Sequence, residues 1–284
     1  MNRKYLRTLW DMTAFHKEYN KEWLKVINKL KQKGYQGLEI AVQFSSEKQL
    51  EAFKDIKQKK QLSYIAQIHT CGYPISSSDV NAHLDSLKKG IETALKINPD
   101  AINVHSGRDC WTQDQTLEFF NKVQEFQQQV NVPIQHETHR QRALFNPYIT
   151  KLVIENCPQI YLNADISHWV LVGERFYDKE HDKEFFDAFN VIKGNSRQIH
   201  ARIGSPNQIQ VIHPELEAEA LKWYDQIWKD IAQAQESKGT KVFYYTCEFG
   251  PVPYSIFNPK TQKVLNNTTK SNDFMLQHLL NNHK

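Results

Sequence analysis

The sequence predicts a (β/α)8 barrel that runs through residues 1–284 as one domain, and three observations carry that expectation. Strand-like and helix-like patterns alternate from end to end, with no Pro/Gly/Ser-rich linker, low-complexity tract or shift in composition. Eight such units of about 35 residues would fill about 280 positions, and (β/α)8 barrels typically need roughly 250 or more. An open doubly wound sheet would usually carry a Gly-rich phosphate loop after its first strand. The Met12-Thr13-Ala14-Phe15 that follows Asp11 is nothing like one.

The eight expected strands are Tyr5 to Asp11, Gly37 to Val42, Ser63 to His69, Ala101 to His105, Val132 to Glu137, Ile160 to Asp165, Arg197 to Arg202 and Lys241 to Glu248. These are the apolar, β-branched and aromatic runs of parallel strands buried on both faces. Between them, the clearest helical face is Val80, Leu84, Leu87, Ile91 and Leu95, behind a Ser76-Ser77-Ser78 start signal. Trp23, Ile27 and Leu30 lead to Gly34; Phe185, Phe189 and Ile192 lead to Gly194; Leu216, Ala220, Tyr224, Ile227 and Ile231 lead to Gly239. Each glycine suits a helix C-terminus. Asn146-Pro147 opens a further helix in the order of cap then proline, and Pro158 stops it.

With 40% hydrophobic and 24% charged residues, the composition is that of an ordinary soluble globular protein with one substantial core. The net charge of +4 comes mostly from lysines such as Lys29, Lys31, Lys33, Lys57, Lys59 and Lys60. They lack interleaved aromatics and are scattered among segments, so they read as solvated helix faces and argue against a nucleic-acid partner. Cys71, Cys110, Cys157 and Cys247 are widely spaced and form no Cys-x-x-Cys motif, which points to a reducing, cytoplasmic location. Met1 to Arg7 has charge but no apolar run behind it, and no uncharged stretch approaches the roughly 18 residues of a membrane span.

The chemistry is concentrated in Glu137, Asp165, His200 and Glu248, each of which closes a strand-like run. Carboxylates are almost never fully buried unless paired or metal-bound. In a barrel all strand C-terminal ends face one mouth, so three carboxylates and an imidazole there argue for one shared divalent metal. Three oxygen ligands and one nitrogen suit manganese, magnesium, cobalt or zinc, and the absence of thiolate argues against a structural zinc site. Glu137 and Glu248 would flank a ligand from two sides of the mouth. Each can give one oxygen to the metal and move a proton with the other, as isomerisation or epimerisation of a sugar requires. The competing reading is a buried salt-bridge cluster around Arg140, Arg142 or Arg202.

His69 and His105 end the third and fourth strands at the same mouth, and His168, three residues after Asp165, suits a substrate contact or a second metal ligand. Trp10, Tyr73, Trp111, Phe145, Trp169 and Tyr254 fall at strand ends or loops where an aromatic face could stack on a sugar ring. Arg108, Arg140, Arg142 and Arg202 would suit an anionic substrate or pair with the carboxylates of the site. The stretch from Gly250 to Lys270 is longer than the usual barrel loop of roughly 2–6 residues and is expected to wall or lid the mouth.

The runs His136-Glu137-Thr138-His139-Arg140, Ala164-Asp165-Ile166-Ser167-His168-Trp169, His200-Ala201-Arg202-Ile203-Gly204 and Cys247-Glu248-Phe249-Gly250-Pro251 resemble the xylose isomerase-like TIM-barrel superfamily, particularly its sugar phosphate isomerase/epimerase branch. The resemblance covers essentially the whole chain. It implies one divalent metal held by Glu137, Asp165, His200 and Glu248, proton shuttling by Glu137 and Glu248, and a substrate contact from His168. Added to the residue reading, it gives an isomerase or epimerase of a small sugar or keto-sugar acting through a metal-held enediolate. His69, His105, His168, Arg202, Trp111 and Trp169 would be its substrate-binding residues.

The same superfamily contains endonuclease IV-type multi-zinc phosphodiesterases, which place histidines as His69 and His105 are placed here. Those enzymes also use an Asp-x-His pair where this chain has Val211-Ile212-His213-Pro214-Glu215. Ketose epimerases usually carry an arginine within a Gly-Glu loop after the seventh strand, and Gly204-Ser205-Pro206-Asn207-Gln208 stands there instead, with Arg202 closer to the strand. Dehydratases or lyases on the same scaffold, and a sugar-binding protein without turnover, are the remaining alternatives.

Overall fold

In the computed structural model, which describes residues 1–284, the eight apolar runs pair as parallel strands and close on themselves. The strands are β1 (Asn2–Thr8), β2 (Gly37–Ala41), β3 (Ser63–His69), β4 (Ala101–His105), β5 (Ile134–Glu137), β6 (Tyr161–Ala164), β7 (Ser196–Ala201) and β8 (Val242–Cys247). Closure comes from β1 against β8, in register from Asn2 opposite Val242 to Arg7 opposite Cys247. That pairing places β1 earlier than the expected Tyr5 to Asp11, because the chain turns out of the sheet where the Met12 amide donates to the Leu9 carbonyl at 3.0 Å.

Nine helices surround the barrel: α1 (Lys21–Lys33), α2 (Glu47–Lys60), α3 (Val80–Leu95), α4 (Gln113–Gln127), α5 (Pro147–Asn156), α6 (Ile166–Gly173), α7 (Lys183–Ile192), α8 (Ala218–Ser237) and α9 (Thr268–Asn282). Local chemistry sets their starts. Ser46 with Gln49, and Thr112 with Gln115, form reciprocal capping boxes, and Asn146 caps the helix that opens on Pro147. The α3 cap is Asp79, whose carboxylate accepts from the Ala82 amide, while the Ser77 hydroxyl before it bonds the Asp79 amide.

Gly34 ends α1 at φ 110°, a conformation only glycine adopts without strain. Gly194 does no such work: it lies in a short 3-10 turn, and the Lys238 side chain occupies the space its Cβ would need. Leu216 precedes α8 in another such turn and is 75% exposed, so it is not part of the helix face.

The main core lies between barrel and helices, around Trp23, Phe119, Phe120, Trp169 and Trp228. Inside the barrel, Leu6, Ile65, Ala101 and Tyr244 plug the end where the strands begin. One step nearer the mouth the inward layer is polar, with Glu39, Asn103, Asn163, Gln198 and Thr246 all buried. Barrel interiors are usually filled by Val, Ile and Leu, so this layer prepares a polar floor for whatever lies above it.

A second polar cluster fastens α8 to the end of α9. The Asp225 carboxylate accepts from His278 Nε2 at 2.8 Å, His283 Nε2 at 2.6 Å and Lys229 Nζ at 2.5 Å. Burial would raise the Asp225 carboxyl, but these bonds outweigh it and hold it far below the usual carboxylate range. A depressed folded-state value means stability that is present above the unfolded value of about 3.9 and is lost as the pH falls below it. Asp225→Asn is therefore expected to lower Tm by about 3–8 °C at neutral pH. The gap from the wild type should narrow as the pH drops from about 5 towards 2. A thermal melt series in which the gap stays constant down to pH 3 would count against this account. No helix is long and apolar enough to cross a membrane.

Candidate metal centre and cavity

Four strand ends carry the centre. Glu137 is the last residue of β5, Asp165 follows β6 as the N-cap of α6, His200 lies near the end of β7, and Glu248 follows β8. All four are buried, and one ligand atom from each lies within 4.8 Å of the others. His200 Nδ1 is 2.8 Å from Glu248 Oε2, 3.5 Å from Glu137 Oε2 and 3.9 Å from Asp165 Oδ2.

Glu137 Oε1 is buried without a hydrogen-bond partner, while Glu248 Oε2 and His200 Nδ1, buried too, face each other at 2.8 Å, with Arg202 Nη1 3.4 Å from Glu248 Oε2. Buried polar atoms normally have partners, and a cation bound among these side chains would supply one. Three carboxylates and one imidazole nitrogen fit a divalent cation, with no thiolate to favour a soft metal.

Charge balance leads to the same fit. Arg202 is buried, donates to Asp165 and lies 3.4 Å from Glu248 Oε2, so it is the guanidinium that joins the cluster. Arg142 instead donates to the Thr70 and Gly72 carbonyls at 2.7 and 2.8 Å, and Arg140 lies over the Tyr254 ring. A single guanidinium does not neutralise the acids. Burial pushes the Glu137 carboxyl up to about 8 and that of Asp165 up to about 7, with His200 and Arg202 respectively pulling back only in part. Burial would also raise Glu248, but His200 and Arg202 outweigh it and hold that carboxyl well below its usual range. His200 itself would be lowered by burial, yet Glu248, Glu39 and Glu137 together hold it well above its ordinary value. The bare cluster thus holds protons that a dication would displace.

Glu39 was not among the residues singled out from the sequence. It sits in the middle of β2, buried, with both carboxylate oxygens 3.0 Å from His200 Nε2. Its signal was an acid inside the apolar run Gly37-Leu38-Glu39-Ile40-Ala41. His139 was also missed, although it stands two residues beyond Glu137.

The histidines form an arc beside the acids. Ring centroids are 4.1 Å apart for His69 and His105, 4.7 Å for His105 and His139, and 3.9 Å for His139 and His168. Burial lowers all four well below the ordinary imidazole value, so they are neutral. His105 Nε2 lies 2.9 Å from Glu137 Oε2.

A cavity of about 160 Å³ opens over this floor, lined by His69, His105, His139, Glu137, Glu248 and Arg202 among others. Trp10, Phe44, Tyr73 and Tyr254 supply its aromatic wall. Tyr254 and Pro253 come from the segment after β8, which ends where α9 begins at Thr268 and does wall the mouth. Gly250 is required there, because an added Cβ would lie 1.7 Å from the Trp10 indole.

Three expected substrate contacts lie outside the cavity lining. His168 is wholly buried behind it, with Arg202 Nη2 3.3 Å from its Nε2. Trp111 turns its indole N–H to the Ser78 carbonyl at 2.6 Å and packs against His83 and Phe119. Trp169, on α6, gives its indole N–H to the Leu144 carbonyl and has no accessible surface. A buried indole must satisfy its N–H, and for both tryptophans the partner is a backbone carbonyl outside the cavity lining.

No family model matches the sequence, and no curated protein matches it. Solved structures do match over nearly full length. The probable 3-DHS dehydratase AsbF from Bacillus anthracis is 14% identical with a TM-score of 0.63, covering 99% of this chain and 100% of that one. A D-allulose 3-epimerase from Methylomonas sp., in complex with D-allulose, is 11% identical with a TM-score of 0.64, covering 99% and 97%. A xylose isomerase-like TIM barrel protein from Mycobacterium smegmatis, in complex with magnesium, is 12% identical with a TM-score of 0.60, covering 99% and 98%. The closed eight-stranded parallel barrel of this chain is thus the fold it shares with these structures.

Proposed function

We propose that the protein is a divalent-metal-dependent isomerase or epimerase of a small sugar or keto-sugar. The observation that carries this reading is the buried set of Glu137, Asp165, His200 and Glu248, one ligand atom of each within 4.8 Å of the others, beneath a sugar-sized cavity that Glu137 and Glu248 line. Glu137, Asp165, His200 and Glu248 would hold the cation, which when bound supplies positive charge that polarises a substrate carbonyl. The epimerase and magnesium-bound neighbours support the same choice.

The chain's own groups then do the proton work. Glu137 and Glu248 both line the cavity; one removes a proton from the carbon beside the carbonyl and the other returns a proton elsewhere. His69 is set to donate. The Gln43 side chain accepts from the His69 amide through its oxygen, which leaves its nitrogen to donate to His69 Nδ1 at 2.6 Å. The His69 proton is therefore on Nε2. Trp10, Phe44 and Tyr254 offer apolar faces for a sugar ring and exclude water.

The substrate in this reading carries no phosphate. Arg202 is the only arginine that lines the cavity, and it is engaged by Asp165. Arg108, Arg140 and Arg142, which the sequence offered for an anion, do not line it. The free cysteines suit the reducing, cytoplasmic location expected from the sequence.

One observation favours a second reading. His105, Glu137 and His139 form another group of ligand atoms within 4.8 Å of one another, as a multi-zinc phosphodiesterase would need. Elemental analysis separates the two: the isomerase reading expects one cation per chain and the hydrolytic one several. The direct test is incubation with unphosphorylated ketoses in D2O with manganese or magnesium. An epimeric or isomeric product, with deuterium at the carbon beside the carbonyl, is the expected result. Loss of water would indicate a dehydratase, and a sugar that binds but returns unchanged and unlabelled would defeat the proposal.

A further inference from the structure

We infer that Glu39 is the positioning residue of this centre, fixing the His200 ring for coordination through Nδ1 and, by way of Asn103, the orientation of Glu137. The inference rests on the metal reading above and adds a residue that does not itself belong to the ligand set.

Glu39 lies deep in the barrel, 2% exposed, in a layer that such folds normally fill with aliphatic side chains. A carboxylate there is costly unless every lone pair is used. Both oxygens are used. Oε1 accepts from Asn103 Nδ2 at 2.8 Å and from Gln67 Nε2 at 3.4 Å, Oε2 accepts from Gln198 Nε2 at 2.7 Å, and His200 Nε2 lies 3.0 Å from each.

An ionised carboxylate only accepts, so the His200 nitrogen that faces it carries a hydrogen. For a neutral ring that places the lone pair on Nδ1, towards Glu137, Asp165 and Glu248. The opposite tautomer would set a lone pair against Glu39. A carboxylate behind a histidine in this way orients the ring and raises its basicity as a ligand.

Asn103 extends the same control to a second ligand. Its amide nitrogen bridges Glu39 Oε1 and Glu137 Oε2, at 2.8 and 2.6 Å. Asn163 also donates to that Glu137 oxygen, at 3.3 Å. With Oε2 held by two amides, Glu137 Oε1 is the oxygen left without a partner. One carboxylate outside the coordinating set therefore aligns two of its four members.

The alternative is that Glu39 is only a structural plug, whose loss would lower stability and nothing else. Calorimetric titration of folded, metal-free wild type, Glu39→Gln and Glu39→Asp with manganese separates these roles. Glu39→Gln is expected to bind about 10–100-fold more weakly, with Glu39→Asp recovering part of the loss. In the zinc-loaded wild type, 15N-edited NMR should find a slowly exchanging proton on Nε2 of His200, displaced or lost in Glu39→Gln.

Equal affinity with an unchanged His200 signal in a folded Glu39→Gln protein would overturn the inference. A wild type that takes up no cation would instead overturn the metal reading, and this inference with it. If Glu39→Gln fails to fold, Asn103→Ala carries the decision, because it cuts only the bridge to Glu137. Weaker manganese binding by that variant supports the inference, and unchanged binding refutes it.

Discussion

Glu137→Gln and Glu248→Gln are each expected to lose about 10²–10⁴-fold in kcat for ketose isomerisation or epimerisation, the usual scale for removing a general acid or base. Their effects on stability should differ in sign. Glu137 is a buried carboxyl that burial raises to about 8, so at neutral pH its ionisation opposes folding in the metal-free state. Its amide variant should melt no lower than the wild type when both are stripped of metal. Glu248 is held ionised by His200 and Arg202, so its amide variant leaves those two cations less compensated and should melt lower. Residues that trade stability for function in this way are characteristic of reactive sites. Full activity in a Glu137→Gln or Glu248→Gln enzyme would refute the proton-transfer roles. A metal-free Glu137→Gln protein several degrees less stable than the wild type would refute the charge balance given for the floor.

Metal removal carries the second large effect. A cation present at about 100 times its Kd adds about 2.7 kcal/mol to stability, which for a chain of this size corresponds to a Tm shift of about 5–8 °C. Chelation should remove that increment together with turnover, and manganese or magnesium should restore both. Affinity should also depend on pH. The carboxyls of Glu137 and Asp165 rise to about 8 and about 7 in the metal-free fold, and His200 is held protonated, so protons compete for the same atoms. Binding should weaken as the pH falls from about 8.5 to about 6, with proton release visible in calorimetry across buffers of different ionisation enthalpy. Because the two carboxyl values are raised on folding, the metal-free protein should gain stability over the same fall in pH. Affinity that stays flat across this window would be incompatible with the site as described.

The barrel was legible because strands buried on both faces must be written as apolar runs, and β3 and β4 match their expected limits residue for residue. The four acidic and imidazole side chains were legible because each interrupts or ends such a run. Glu39 was harder: it lies inside β2, and its partners come from β3, β4 and β7, so only the closed ring shows that an interior acid is fully bonded. The tryptophans failed for a different reason. A loop or helix position tells which residue is aromatic but not which way it faces, and Trp111 and Trp169 were claimed by the carbonyls of Ser78 and Leu144. The arginines divided likewise. Arg202 shares the inward phase of His200 two residues before it, whereas the direction of Arg142 depends on carbonyls in the segment after β3.

The acidic floor and the outer rim of the cavity are built from different parts of the chain. The floor belongs to strand ends locked in the barrel interior, whereas Phe44 and Tyr73, 63% and 50% exposed, sit on connecting segments beyond β2 and β3. Both rings pack against His69, at centroid distances of 5.8 and 6.3 Å, but neither takes part in the bonds that hold the acids in place. If the protein acts as proposed, substrate preference would drift, or be retargeted by design, through a few surface replacements while the acids and imidazole beneath are inherited intact.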